Sequence, residues 1–231
     1  MNNKNILLTG GTGGLGLGVT PAILAYGKKV AIPYLHENDI NPLRNKLSAS
    51  DFEKINFVRA DLTQESAVEQ LVNDLGRVDI LIHLVGGFSM GLTHEFSYND
   101  WKKAFNLNLN TTFLVCKHCL RKMREKKYGR IVTVGSRGAL QPAASLAAYS
   151  AAKAGVVALT KAIAEETKDL DITANTILPS VIDTQANREA MGEEDADKWV
   201  KPESIASLIC YLISDAAKDT SGAAIPIYGQ A

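Results

Sequence analysis

Three side chains in the second half of the chain have types and spacing suited to moving a proton: Ser136, Tyr149 and Lys153. In Tyr149-Ser150-Ala151-Ala152-Lys153 the phenol and the amine are separated so that, in a helix, they share one face a turn apart. A phenol titrates near 10, and making it useful near neutrality takes a shift of about three units, or roughly 4 kcal/mol. An ammonium about 4 Å from the phenolate supplies on the order of 4 kcal/mol at an effective dielectric of about 20, which is the part expected of Lys153. Ser136 follows Val134-Gly135 at the end of a predicted strand, where its hydroxyl can donate to the oxygen that Tyr149 protonates. In reduction Tyr149 gives a proton to a developing alkoxide, and in oxidation the roles reverse.

A second constellation lies at the other end of the chain, in Thr9-Gly10-Gly11-Thr12-Gly13-Gly14-Leu15-Gly16. Glycines let a backbone turn sharply and approach a pyrophosphate, and a helix start supplies unpaired N–H groups with a partial positive charge. A glycine-rich run alone is often only a flexible turn. Here a predicted strand precedes it and a predicted helix follows, the context that binds a dinucleotide. Gly10, Gly14 and Gly16 satisfy G-x-x-x-G-x-G, while Gly10, Gly13 and Gly16 satisfy G-x-x-G-x-x-G, so spacing leaves the two patterns open.

The elements that must position these groups alternate along the chain. Predicted strands cover 5–9, 29–34, 56–59, 79–85, 130–135, 171–178 and 224–228, and predicted helices cover 15–26, 41–50, 65–75, 99–126, 148–167 and 202–214. Apolar strands separated by helices predict an α/β fold: a Rossmann-type doubly wound parallel sheet of about seven strands flanked by helices. Ligands then bind beyond the carboxyl ends of the strands, where both constellations fall. One domain over 1–231 is expected, with a small substrate segment at about 181–201.

Composition narrows the function classes. The 231 residues carry 25 basic and 25 acidic side chains. No global field therefore recruits nucleic acid or an anionic membrane, and a small-molecule carbonyl or alcohol substrate is expected. Ile6-Leu7-Leu8 is too short for a signal-peptide core and no apolar run spans a bilayer, so a cytoplasmic protein is expected. Cys116 and Cys119 form a C-x-x-C around His118, but the spacing falls within a helical pattern in which Phe113, Cys116, Leu120 and Met123 share a face, and the cysteines read as core hydrophobes. Glu193, Glu194, Asp195 and Asp197 read as a solvated face, so no metal is expected.

These motifs resemble those of the short-chain dehydrogenase/reductase family over essentially the whole length. The resemblance implies a catalytic set of Asn108, Ser136, Tyr149 and Lys153, with Asn108, in Asn106-Leu107-Asn108-Leu109-Asn110, kinking a helix and holding a water in a relay with the lysine. It implies cofactor contacts from Gly10, Thr12, Gly14, Leu15, Gly16, Gly86, Tyr149 and Lys153. Asp61, beside Leu62, should meet the adenine, and Ile182 and Thr184 the nicotinamide and phosphates; the plain alternative for Asp61 is a helix cap. Pairing of the two long helices across two-fold axes implies a homotetramer or homodimer. Two positions depart from the family pattern: His83-Leu84-Val85-Gly86 replaces Asn-Asn-Ala-Gly, and Pro179-Ser180 replaces Pro-Gly. His83 reads as a satisfied structural histidine.

Cofactor choice is read at the end of the second strand, where an acidic residue would select NAD. Tyr34 stands there, so a 2'-phosphate is not excluded, although no Arg or Lys lies there or in the glycine loop. NAD(P)H is expected, with a lean to NADPH. Reduction of a ketone or 3-oxoacyl carbonyl is the first expectation for the reaction. The segment Asp183–Trp199 and the Gly86-Gly87-Phe88 turn also resemble dihydropteridine reductases, which makes a quinonoid pterin the alternative substrate; Ser136 and Asn108 count against it. A nicotinamide-binding redox sensor without turnover is a further alternative, and it would have no need of Tyr149 and Lys153 at this spacing.

Overall fold

The computed structural model describes residues 4–26 and 29–230. Along the chain lie β1 (Asn5–Thr9), α1 (Gly14–Leu24), β2 (Lys29–Tyr34), α2 (Asn41–Lys46), α3 (Ala49–Phe52), β3 (Ile55–Arg59), α4 (Glu65–Leu75) and β4 (Ile80–His83). They are followed by α5 (Tyr98–Phe105), α6 (Thr111–Lys126), β5 (Tyr128–Val134), α7 (Ala147–Glu166), β6 (Asp171–Pro179), α8 (Gln185–Met191), α9 (Pro202–Leu212) and β7 (Ala224–Ile227).

The strands form one sheet in the order β3-β2-β1-β4-β5-β6-β7, and every pairing is parallel. Alternation within each strand divides the core. Ile6, Leu8, Ile80 and Ile82 pack on the face covered by Val19 and Ile23 of α1 and Ile205 and Ile209 of α9. Leu7 and Leu81 pack on the other face, against Val68 and Leu71 of α4, Val115 of α6 and Ile163 of α7. Each such side chain contributes roughly 1.5–3 kcal/mol of transfer free energy, and burial on both faces explains why these strands read as nearly continuous apolar runs. The chain winds outward in opposite senses from β1, leaving a crevice above β1 and β4.

Three expected elements differ in detail. The predicted helix over 41–50 is broken, because Leu47 is extended and Ser48 caps a new turn through the Asp51 N–H. The predicted helix over 99–126 is interrupted at Asn106–Asn110 by a wider π-type turn. The segment 181–201 contains α8, whose side chains are not buried, so no apolar stripe announced it. Within α6 the inward stripe is Val115, Cys116, Cys119 and Met123, whereas Phe113, expected to share it, faces solvent. Burial pushes the Cys116 thiol up to about 12, and burial together with the neighbouring Cys116 holds Cys119 well above its ordinary value, which makes both inert thiols. Among the described residues no helix is long and apolar enough to cross a membrane.

Candidate active site

The cleft above β1 and β4 has a volume of about 380 Å³. Its floor is the glycine loop, contributing Gly10, Thr12, Gly14, Leu15 and Gly16, and its walls include Gly86, Tyr149, Lys153 and Ile182. Gly10 has φ +73°, and a Cβ there would lie 2.9 Å from the Val85 nitrogen. A side chain at Gly14 would press on Thr184 at 3.2 Å, while one at Gly13 would meet only the Gly10 carbonyl at 3.4 Å. The demand for glycine therefore follows G-x-x-x-G-x-G, the choice that spacing left open. The loop is held by the Thr20 hydroxyl, which donates to the Gly11 carbonyl at 3.0 Å, and it delivers the N-terminus of the eleven-residue α1 to the cleft. A cradle with no room for side chains at Gly10, Gly14 and Gly16, backed by a helix start, fits the pyrophosphate of a dinucleotide.

Tyr149 and Lys153 project from one face of α7 into the same cleft. Ser136, just beyond β5, hydrogen-bonds with the Tyr149 phenol and also accepts the Gly138 N–H at 3.1 Å. Lys153 is 4% exposed, and its Nζ donates to the Val134 carbonyl at 2.9 Å. Burial lowers this amine to about 8. The Tyr149 phenol moves the other way: burial raises it, and the Ser136 hydrogen bond only partly opposes that. Lys153 Nζ stands 6.0 Å from the centre of the Tyr149 ring, and burial and the Ser136 hydrogen bond, rather than the direct ammonium effect expected from sequence, set the phenol.

Asn108 lies behind the cleft wall, 1% exposed, within the π-type turn. Its Nδ2 donates to the carbonyls of Gly87 and Ala104, both at 3.0 Å, and its Oδ1 accepts the Gly87 N–H at 3.1 Å. The amide thus clamps the loop after β4. Gly86 marks where the groups converge, since a Cβ there would stand 2.8 Å from Asn108 Oδ1 and 2.9 Å from Lys153 Nζ.

The remaining expected residues lie around this centre. Ile182 bridges to Val200 and accepts Asn187 Nδ2 on its carbonyl at 2.7 Å. Thr184 caps α8 through the Asn187 N–H and lines an adjoining hollow with Lys46 and Arg188. Asp61 Oδ1 accepts both the N–H and the hydroxyl of Thr63 in a tight turn ahead of α4, whose N-cap is Gln64, so Asp61 is not that helix's cap. Leu62 packs into the core with Ala31 and Leu81, so its side chain does not reach the cleft. Tyr34 ends β2 and donates its hydroxyl to Glu37 at 2.8 Å. That carboxylate holds the phenol above its ordinary value, with burial adding to the effect and the charge of Arg59 opposing it. Arg59 is paired in register with Tyr34 from β3, is exposed, and has no ion-pair partner among the described residues. Sequence inspection of the second strand missed this cation because it arrives from a neighbouring strand.

Two other cleft residues were not singled out as site residues. Phe88, 67% exposed, sets its ring against Tyr149 at 5.1 Å between centroids and 62° between planes. Ser180 ties the loop after β6 to β7, donating its hydroxyl to the Tyr228 carbonyl at 2.6 Å. The segment that follows is fastened by Asp183, which accepts from Arg188 at 2.6 Å and from Lys201 at 2.6 Å. Those two cations hold the carboxyl well below the usual range.

Residues 4–195 match the family model described as short chain dehydrogenase. The chain belongs to the short chain dehydrogenase family. It is accordingly an NAD(P)-dependent oxidoreductase. Among curated relatives, it is 30% identical to the 3-oxoacyl-[acyl-carrier-protein] reductase MabA of Mycobacterium bovis, over 98% of this chain and 92% of that protein. It is 28% identical to the D-beta-hydroxybutyrate dehydrogenase of Cupriavidus necator, over 96% of this chain and 95% of that one. Among solved structures, ElxO with NADP bound superposes with a TM-score of 0.91 at 27% identity, covering 98% of both chains. A single-substitution variant of the actinorhodin polyketide ketoreductase with NADPH gives 0.90 at 27% identity, covering 99% of this short chain dehydrogenase and 98% of the ketoreductase.

Proposed function

We propose that this short chain dehydrogenase uses NADPH to reduce the carbonyl of a ketone or 3-oxoacyl substrate to an alcohol, with all 231 residues acting as one nicotinamide-binding unit. The observation that carries the proposal is the convergence of Ser136, Tyr149 and Lys153 beside a glycine cradle, with Asn108 clamping the wall behind them. Relatives named as oxoacyl reductases and a structural neighbour titled as a ketoreductase point the same way.

In this scheme Gly10, Thr12, Gly14, Leu15 and Gly16 would hold the pyrophosphate at the start of α1, with Thr184 beside Gly14. Ile182 and Gly86 border the nicotinamide, and Asp61 and the backbone at Leu62 border the adenine. Bound NADPH supplies the hydride. Tyr149 gives its proton to the oxygen of the substrate as negative charge develops there, and Ser136 donates a hydrogen bond to the same oxygen. Lys153, held by the Val134 carbonyl, gives the site a cation, and Asn108 fixes the loop against which the amine rests. A raised phenol suits an acid that stays protonated until the alkoxide forms.

The lean to NADPH rests on Arg59, which can reach a 2'-phosphate from β3 at the level of Tyr34, with Glu37 as the opposing charge. The substrate would lie against Phe88, between the loop after β4 and the segment 181–201. A cytoplasmic homotetramer or homodimer, paired through α6 and α7, completes the proposal. Steady-state rates with a panel of ketones, oxoacyl thioesters and quinonoid pterins, each with NADH and NADPH, test it. Oxidation of NADPH by ketones or oxoacyl thioesters supports the proposal; nucleotide binding without turnover of any of them would replace it with a sensor.

A further inference from the structure

His83, buried immediately before the cleft residues 84–88, has no part in the scheme above. It ends β4, in register with Thr9 of β1 and Thr133 of β5, and is 1% exposed. Burial, reinforced by the charge of Lys153, lowers its imidazole to about 3, so the ring is neutral at working pH. A neutral imidazole offers one donor and one acceptor. The hydroxyl of Thr111 already donates to the Leu107 carbonyl at 2.6 Å, which leaves its oxygen to accept. Nε2 of His83 faces that oxygen across a long contact of 3.5 Å, and Nδ1 lies 2.8 Å from the Thr9 hydroxyl. The hydrogen-bond assignment therefore puts the proton on Nε2, with Thr9 donating to Nδ1 and His83 donating to Thr111.

The two ends of this bridge reach different machinery. Thr9 precedes Gly10, so its side chain anchors the entry to the glycine loop, and its carbonyl accepts the Leu84 N–H at 3.0 Å. Thr111 closes the π-type turn: its hydroxyl holds Leu107, and the next residue, Thr112, donates to the Asn108 carbonyl at 2.7 Å. We propose that His83 is a positioning residue for the reduction, one ring nitrogen setting the start of the cofactor loop through Thr9 and the other setting the turn that carries Asn108 through Thr111. The inference rests on the function proposed above.

Side-chain geometry allows the two halves to be separated. The amide of Asn reaches the position of a histidine Nδ1, and the amide of Gln reaches that of Nε2. His83→Asn should keep the Thr9 link and lose the Thr111 link, His83→Gln should do the reverse, and His83→Phe should lose both. The readouts are the Kd for NADPH by fluorescence, kcat and KM for a carbonyl substrate, amide exchange over 106–112, and Tm. His83→Asn is expected to bind NADPH within about twofold of wild type while kcat falls about tenfold and exchange in the turn quickens. His83→Gln is expected to keep kcat and slow exchange while NADPH binding weakens about tenfold, and His83→Phe should show both defects. If all three variants keep Kd, kcat and exchange near wild type and differ only in Tm, His83 is merely structural and the proposal fails. Indistinguishable Asn and Gln variants would also overturn it. Should wild-type protein lack carbonyl turnover, the proposed function fails, while Kd and amide exchange still decide the role of His83.

Discussion

Lys153 donates its ammonium to the Val134 carbonyl at 2.9 Å while lying 6.0 Å from the ring centre of Tyr149. The amine is thus fixed by backbone rather than by the phenol, and burial lowers it to about 8 while burial also raises the phenol. The pair is poised as a protonated phenol beside a buried cation that sheds its proton readily.

Stability should record that burial. An unfolded lysine titrates near 10.5, so between about 8 and 10.5 this site binds more protons in the unfolded chain than in the folded one, and Lys153 contributes a rise in stability with pH across that window, opposed by the buried thiols of Cys116 and Cys119. Below it, holding the ammonium buried costs on the order of 3 kcal/mol. Lys153→Met should remove this rise while lowering kcat by at least about 100-fold. Denaturant unfolding of both proteins from about pH 7 to about pH 10.5 checks the sign; an identical pH dependence would show that Lys153 is not the group responsible.

Gly86 has no space for a side chain between Asn108 and Lys153. Gly86→Ala should displace one or both, with an overpacking cost of about 1–3 kcal/mol. A lower Tm accompanied by a drop in kcat, measured on the same preparation, is expected.

Cofactor preference should turn on Arg59 and Glu37. Arg59→Leu should weaken NADPH binding about tenfold with NADH little changed, because only the phosphate takes a charge-assisted bond. Glu37→Gln should shift preference further toward NADPH. Titration of both nucleotides against each variant measures this, and equal losses for the two would remove Arg59 from phosphate recognition.

Phe88 packs edge-on against Tyr149, a contact worth about 0.5–1.5 kcal/mol beyond simple burial. Phe88→Ala should raise KM for bulky apolar ketones several-fold with a smaller effect on small ones. A panel of ketones graded by size distinguishes that outcome from a uniform loss.

The strands, the glycine loop and the proximity of Ser136, Tyr149 and Lys153 were legible because each depends on a local pattern: alternating burial, a turn that rejects side chains, or one helical turn. The π-type turn at Asn106–Asn110 was not legible as an interruption, since a shift in backbone hydrogen bonding leaves the run of Leu and Asn looking helical; its position came from resemblance. Arg59 was overlooked because its neighbour Tyr34 is fixed by strand register rather than by sequence distance. The opposing shifts of Tyr149 and Lys153 depend on how deeply α7 is buried against β5 and β6, which spacing does not encode. His83 is the satisfied buried ring that its sequence context suggests, but its two partners come from β1 and α6, elements far away in sequence.

The central claim is that the Tyr149 hydroxyl delivers the proton and does little to hold the nucleotide. Tyr149→Phe keeps the ring against Phe88 and removes only that oxygen. The decisive measurement is the Kd for NADPH together with kcat for carbonyl reduction in this variant. A Kd within about threefold of wild type with kcat reduced at least about 100-fold is the predicted result; a variant that keeps most of its reductase rate would contradict it.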